Sequence, residues 1–136
     1  MDIEVTFPGG KRVDARVGDH VVRTDQPVEA GGDDSAPAPF DLFLASLATC
    51  AGIYVLGFCQ ARGIATEGIS IVQRHAVDPD TRQLSVVTLE LGLPPGFPDK
   101  YRDAVVRAAE NCKVKKVLAH APMIAVRASP AQAKAA

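Results

Sequence analysis

The chain has 136 residues, 47% of them hydrophobic, with 15 basic and 16 acidic side chains giving a net charge of −1. A domain of this length buries roughly two-thirds of its unfolded surface, so neither a disulfide framework nor a structural metal is needed to hold it. The balanced charge excludes the basic footprint of a nucleic-acid or anionic-membrane binder, and 5% aromatic content without Trp requires an aliphatic, alanine-rich core.

The first third predicts short strands. Ile3, Val5 and Phe7 alternate with polar neighbours, Pro8-Gly9-Gly10 turns the chain, and Val13, Ala15 and Val17 alternate again before Gly18-Asp19 and the run from His20 to Thr24. This pattern is that of an antiparallel meander. Residues 25–38, rich in Gly, Asp, Pro and Ala, read as an exposed loop.

Pro39 suits the first turn of a helix, where its missing N–H has no partner to lose. From Phe40 to Arg62 the sequence is almost wholly apolar, and Gly63 is a natural stop. The 19 residues from Phe40 to Phe58 carry one charge, Asp41, and are long enough to span a membrane. Small residues within them, and flanking strands that need one another, favour a helix buried in a water-soluble domain.

A hairpin follows over 69–93, turning at Asp78-Pro79-Asp80-Thr81. Pro94 to Pro98 breaks the chain, and Asp99 is placed to cap a helix with Tyr101, Val105, Val106, Ala109 and Cys112 at helical spacing. A helical piece over Lys113–His120 and a strand over Met123–Val126 complete the pattern. Residues 1–128 thus read as one α+β domain, with 129–136 a frayed tail.

Three cysteines make a poor disulfide framework, and Met1-Asp2-Ile3-Glu4 lacks the basic-then-apolar order of a signal peptide. A reducing cytoplasm is therefore the expected location, where a disulfide is usually transient and catalytic. Cys50 lies mid-helix with Phe43, Ser46, Leu47, Ile53 and Tyr54 on its face. That shell alone makes a thiol inert, so a reactive Cys50 needs a cation or donor from elsewhere. Cys59 sits nine residues on, about half a turn out of phase and about 13 Å along the axis, too far to bridge to Cys50. Beside Cys112 stand Lys113, Lys115 and Lys116. A helix break at Asn111 would put this thiol at a positive helix end; without a break it completes an apolar stripe.

The cysteines and His20, His75 and His120 show no short-range metal-ligand spacing, and no nucleotide or phosphate fingerprint is present. Neither metal nor cofactor is expected. Ala45, Ala48, Thr49 and Gly52 form a small-residue stripe within about 100° of arc, where a second helix, from this chain or another copy, can approach closely.

The run Ala36 to Cys50, APAPFDLFLASLATC, resembles the OsmC/Ohr motif, in which a Pro-x-acid-Leu start leads to a cysteine in a long central helix. Ala108 to Val114, AAENCKV, resembles that family's second cysteine motif, with Lys113 where proline usually follows. The 62-residue separation and the order of elements also match, over roughly residues 3–128. The resemblance implies an OsmC-like fold, with antiparallel sheets around two central helices in an intertwined homodimer. It further implies a cofactor-free thiol peroxidase that reduces organic hydroperoxides, with Cys50 attacking, Cys112 resolving and an external dithiol resetting the pair. Phe43, Leu47 and Tyr54 would supply the substrate pocket.

The peroxidase branch has a Glu one place before Asp41 that orients an arginine near the thiolate. Here that place is Phe40, leaving Asp41 as the candidate acid. Of Arg12, Arg16 and Arg23, which alternation does not separate, Arg16 is carried as the candidate cation. The alternative from a different class is a binding protein of the same fold, holding a small apolar ligand at its dimer interface. No nucleic-acid or membrane partner is expected.

Overall fold

The computed structural model describes residues 1–130. Strands β1 (Ile3–Gly9), β2 (Arg12–Val17) and β3 (His20–Val22) form the expected antiparallel meander, with Ile3 opposite Val17 and Ala15 opposite Val22. The long helix α1 (Pro39–Ala61) begins with Pro39 in its first turn, and Gly63, at φ 63°, takes the left-handed conformation that ends it. Strands β4 (Ser70–Val77) and β5 (Leu84–Gly92) form the hairpin, and the Asp78 carboxylate closes its turn by accepting from the amides of Asp80 and Thr81 at 2.9 and 2.8 Å. Those bonds hold the Asp78 carboxyl below its usual pKa.

Helix α2 (Arg102–Glu110) follows a 3-10 turn over Asp99–Tyr101, and α3 (Lys113–Ala119) follows a break at Asn111-Cys112. Asp99 does not cap α2. Its carboxylate instead accepts from Arg102 Nε at 2.9 Å, because the intervening 3-10 turn rotates it away from the helix amides.

The core forms where α1 crosses α2 and the hairpin. Val55, Cys59, Phe97 and Val105 are buried together, with Ile64, Ile71, Leu91 and Tyr101 packed around them. Phe97 belongs to the proline-rich break, which is therefore more than a connection: its turn, closed by the Phe97 amide on the Pro94 carbonyl at 2.9 Å, aims an aromatic ring into the core.

Two further sequence expectations are overturned. Residues 25–38 are not simply an exposed loop, since Asp25 is buried. The Asp25 carboxylate accepts from the amides of Gln26, Asp33 and Ser35 and from the Ser35 hydroxyl at 2.6 Å, gathering the loop around one charge. A Cβ at Gly32 would collide with the Gln26 carbonyl, which explains a glycine at that close approach. The strand expected over Met123–Val126 is absent. The segment is irregular, Met123, Ile124 and Val126 are exposed, and it pairs with none of the described strands. Of the expected tail, 131–136 lie outside the described residues.

Much apolar surface is left open. Every residue of β1 is exposed, with Phe7 at 80%, and on α1 the buried side chains are confined to Leu47, Ala51, Val55 and Cys59. The accessible surface is 10585 Å², against roughly 6,800 Å² for a folded monomer of this mass. By length and composition α1 is apolar enough to cross a membrane, but such a helix is equally the core helix of a soluble protein. Here its buried face packs on α2 and β4.

Candidate functional site

Two helix ends and one helix middle converge on the cysteines. Cys50 lies half-way along α1 and is half-buried, whereas Cys112, at the junction of α2 and α3, is 3% exposed. The junction forms because α2 closes on itself. The Asn111 amide bonds back to the Ala108 carbonyl at 3.1 Å and the Asn111 side chain to the Arg107 carbonyl at 3.2 Å, after which Cys112 turns to extended backbone and α3 restarts. Its Cys112 carbonyl then accepts from the Lys116 amide at 3.1 Å.

This places the opening of α3 against α1. The groups that act on the Cys50 thiol are the Val114 amide, the Cys112 thiol, the Lys113 amide and the Lys113 ammonium. Together they hold its pKa below that of an ordinary thiol, the Val114 amide contributing most, against the opposing effect of desolvation. Cys112 behaves oppositely. Burial pushes it up, and the neighbouring Cys50 adds to the rise, although the Lys115 and Val114 amides pull the other way. Both are free thiols, and so is Cys59, which is fully buried, raised by desolvation, and separate from the pair.

Beside the pair lies a cavity of about 530 Å³, walled by Leu47 and Ala51 of α1, Val87, Leu89 and Leu91 of β5, Val106 and Ala109 of α2, and Leu118 of α3. Cys112 lies in its wall, and Glu110, Lys115 and Thr88 are its polar members. The enclosure is mostly apolar and large enough for a ligand of several carbon atoms.

The other residues singled out in the sequence fall as follows. Leu47 lines this cavity. Phe43 stacks on Phe40 at 5.6 Å, near the start of α1, and Tyr54 is 37% exposed further along. Asp41 accepts from the Ala38 amide at 3.2 Å, a first-turn cap of α1. Arg16 lies 3.6 Å from Glu4 on the exposed face of the meander. The structure thus brings together Cys50, Cys112 and Leu47, and leaves Asp41 and Arg16 in other contacts within this chain.

Sequence reasoning missed the backbone donors. Amide direction depends on where α3 docks, and no residue type announces it. Also missed was Gln73, whose Nε2 donates to the Leu44 carbonyl at 2.9 Å and lies 2.8 Å from His75 Nε2, tying β4 to α1. No group of three or more His, Cys, Asp or Glu side chains suited to a metal occurs among the described residues.

A family model described as OsmC-like protein matches residues 32–127. The chain belongs to the OsmC-like family. Solved structures agree on the fold of the family. An osmotic stress induced and detoxification response protein from Psychrobacter arcticus 273-4 superposes with a TM-score of 0.70 at 26% identity, over 84% of this chain and 85% of that one. An OsmC like protein from Mycoplasma pneumoniae gives 0.64 at 14% identity, over 88% and 87%. An organic hydroperoxide resistance protein OsmC from Legionella pneumophila gives 0.53 at 20% identity, over 86% and 87%. No curated protein matches the chain.

Proposed function

We propose that this OsmC-like chain is a cytoplasmic, cofactor-free thiol peroxidase that reduces organic hydroperoxides to alcohols through Cys50 and Cys112. The observation that carries the reading is the pairing of a thiol whose pKa is lowered with a buried neighbour whose pKa is raised, beside an apolar cavity. The thiolate of Cys50 attacks the distal peroxide oxygen. The O–O bond breaks, the alkoxide takes a proton from water and leaves as alcohol, and Cys50 becomes a sulfenic acid. The Cys112 sulfur then attacks the sulfenic sulfur, forming the disulfide and releasing water. An external dithiol reduces that disulfide and is itself oxidised, restoring both thiols.

The unequal pKa directions suit these roles, since the attacking sulfur is the more readily ionised of the two and the resolving sulfur the less. Leu47 lines the cavity, and Phe43 and Tyr54 share with Cys50 one face of α1 by helical spacing. The working form in this reading is a homodimer, in which a second copy covers the open faces of the meander and α1. Asp41 and Arg16 act as supporting residues only in that assembly, the meander being the element that would carry Arg16 to a thiol.

Peroxide consumption with cumene hydroperoxide and a dithiol tests the reading. Cys50→Ser abolishes turnover, Cys112→Ser stops cycling through the disulfide, and Cys59→Ser turns over like wild type. Undiminished consumption by Cys50→Ser overturns the mechanism. The cavity gives a second reading its footing: inactive wild type that co-purifies with a small apolar molecule is instead a binding protein of this fold.

A further inference from the structure

Where the start of α1 meets the β4–β5 turn lies a second cavity, of about 460 Å³, which shares no residue with the one beside Cys112. Phe40 and Leu44 of α1, Val77 of β4 and Leu84 of β5 give it an apolar lining, and His75 and Arg82 are polar members. Among the described residues no carboxylate lines it, and no ion pair uses Arg82. Both polar members occupy positions that backbone or packing alone disfavours. Arg82 has φ 60°, the left-handed conformation that suits glycine, where its amide closes the turn on the Asp78 carbonyl at 2.9 Å. His75 follows Gln73 on the face of β4 turned to α1, where their cross-strand neighbours are Val87 and Leu89. Gln73 Nε2 donates to the Leu44 carbonyl at 2.9 Å and lies 2.8 Å from His75 Nε2. With the second N–H of that amide on His75 Nε2, this nitrogen accepts, and the imidazole keeps Nδ1–H to donate. Gln73 Oε1 is left buried without a partner among the described residues, a cost of holding His75 in this way.

We infer that this cavity binds a small organic monocarboxylate, its hydrocarbon part against Phe40, Leu44, Val77 and Leu84 and its carboxylate on the Arg82 guanidinium, with His75 as a second donor. Charge complementarity selects the anion. The cavity offers N–H donors and a permanent cation but no acid, and Asp78, in the adjoining turn, already accepts from the Asp80 and Thr81 amides. The apolar lining selects a ligand with a hydrocarbon body over a bare anion such as phosphate. Because the site is separate from the thiol pair, it stands or falls independently of peroxide reduction.

The test is a titration of the isotope-labelled full-length protein with sodium hexanoate at constant ionic strength, followed by amide NMR. The signals of His75, Val77, Arg82 and Leu84 move and saturate, half-way at on the order of 1 mM, an ordinary affinity for a ligand of this size. Arg82→Gln weakens binding about tenfold, the loss expected of a charge-assisted contact. Arg82→Gly is the sharper variant. Glycine suits the left-handed position, so the Tm is kept or raised while the response to hexanoate is lost.

Hairpin signals unmoved by hexanoate up to about 20 mM overturn the inference. So does an equal response in Arg82→Gly, or a response to hexanol as strong as to hexanoate, since either leaves the cation without a part. Shifts confined to Val106, Ala109 and Leu118 put the carboxylate in the cavity beside Cys112 and overturn it as well.

Discussion

Two residues show how far local chemistry departs from local sequence. Asp25 sits in a stretch of Gly, Asp and Pro that looks solvated, yet its partners at Asp33 and Ser35 are eight and ten residues away. Their hydrogen bonds, the Ser35 hydroxyl foremost, lower its pKa to about 2 from 3.8. The folded state therefore binds this proton more weakly than the unfolded chain. The resulting stability is complete above about pH 4 and is lost as pH falls through about 2. Asp25→Asn, which keeps the shape but weakens the acceptors, lowers the Tm by several degrees at neutral pH. The deficit against wild type narrows in acid. Differential scanning calorimetry at both pH values checks this, and an equal deficit at both would contradict the role of the charge. Cys112 carries a related lesson. Three lysines stand beside it in the sequence, yet burial raises its pKa, while the Val114 and Lys113 amides lower that of Cys50.

At the scale of elements, the sequence was legible wherever periodicity and punctuation agree. The limits of α1 follow from Pro39 and Gly63, and the β4–β5 turn follows from Asp78-Pro79-Asp80. The break at Asn111 that ends α2 was foreseeable as one of two options. Illegible elements were those whose form depends on a neighbour. Met123 to Val126 has strand-forming composition but pairs with none of the described strands, and the proline-rich break hides a core residue, Phe97. Of the candidate site, both cysteines and Leu47 were readable from pattern and resemblance. The amides on Cys50 were not, because they come from docking α3 onto α1. That docking depends on the core where α2 meets α1, centred on Val105, which is fully buried. Val105→Ala leaves a cavity there and destabilises the chain by about 2 kcal/mol. Urea denaturation measures the loss, and a change of under about 0.5 kcal/mol would mean that this core does not hold α2 in place.

For the whole molecule, exposed area is the informative quantity. The chain has 10585 Å² accessible, an entirely exposed β1 and a long apolar helix with one covered face. In the proposed function a second copy covers the open faces, and light scattering then gives twice the mass of one chain. Ile53→Asp, placing a charge on the open side of α1, shifts the population toward monomer or aggregate. A stable, monodisperse wild-type monomer contradicts the intertwined assembly.

The most direct measurement is peptide mapping by mass spectrometry after the reduced protein meets one equivalent of cumene hydroperoxide, without added dithiol. The expected result is loss of two thiols and one cross-linked peptide pair joining Cys50 to Cys112, with Cys59 still free. Recovery of Cys50 and Cys112 as unmodified thiols, with the peroxide intact, would contradict it.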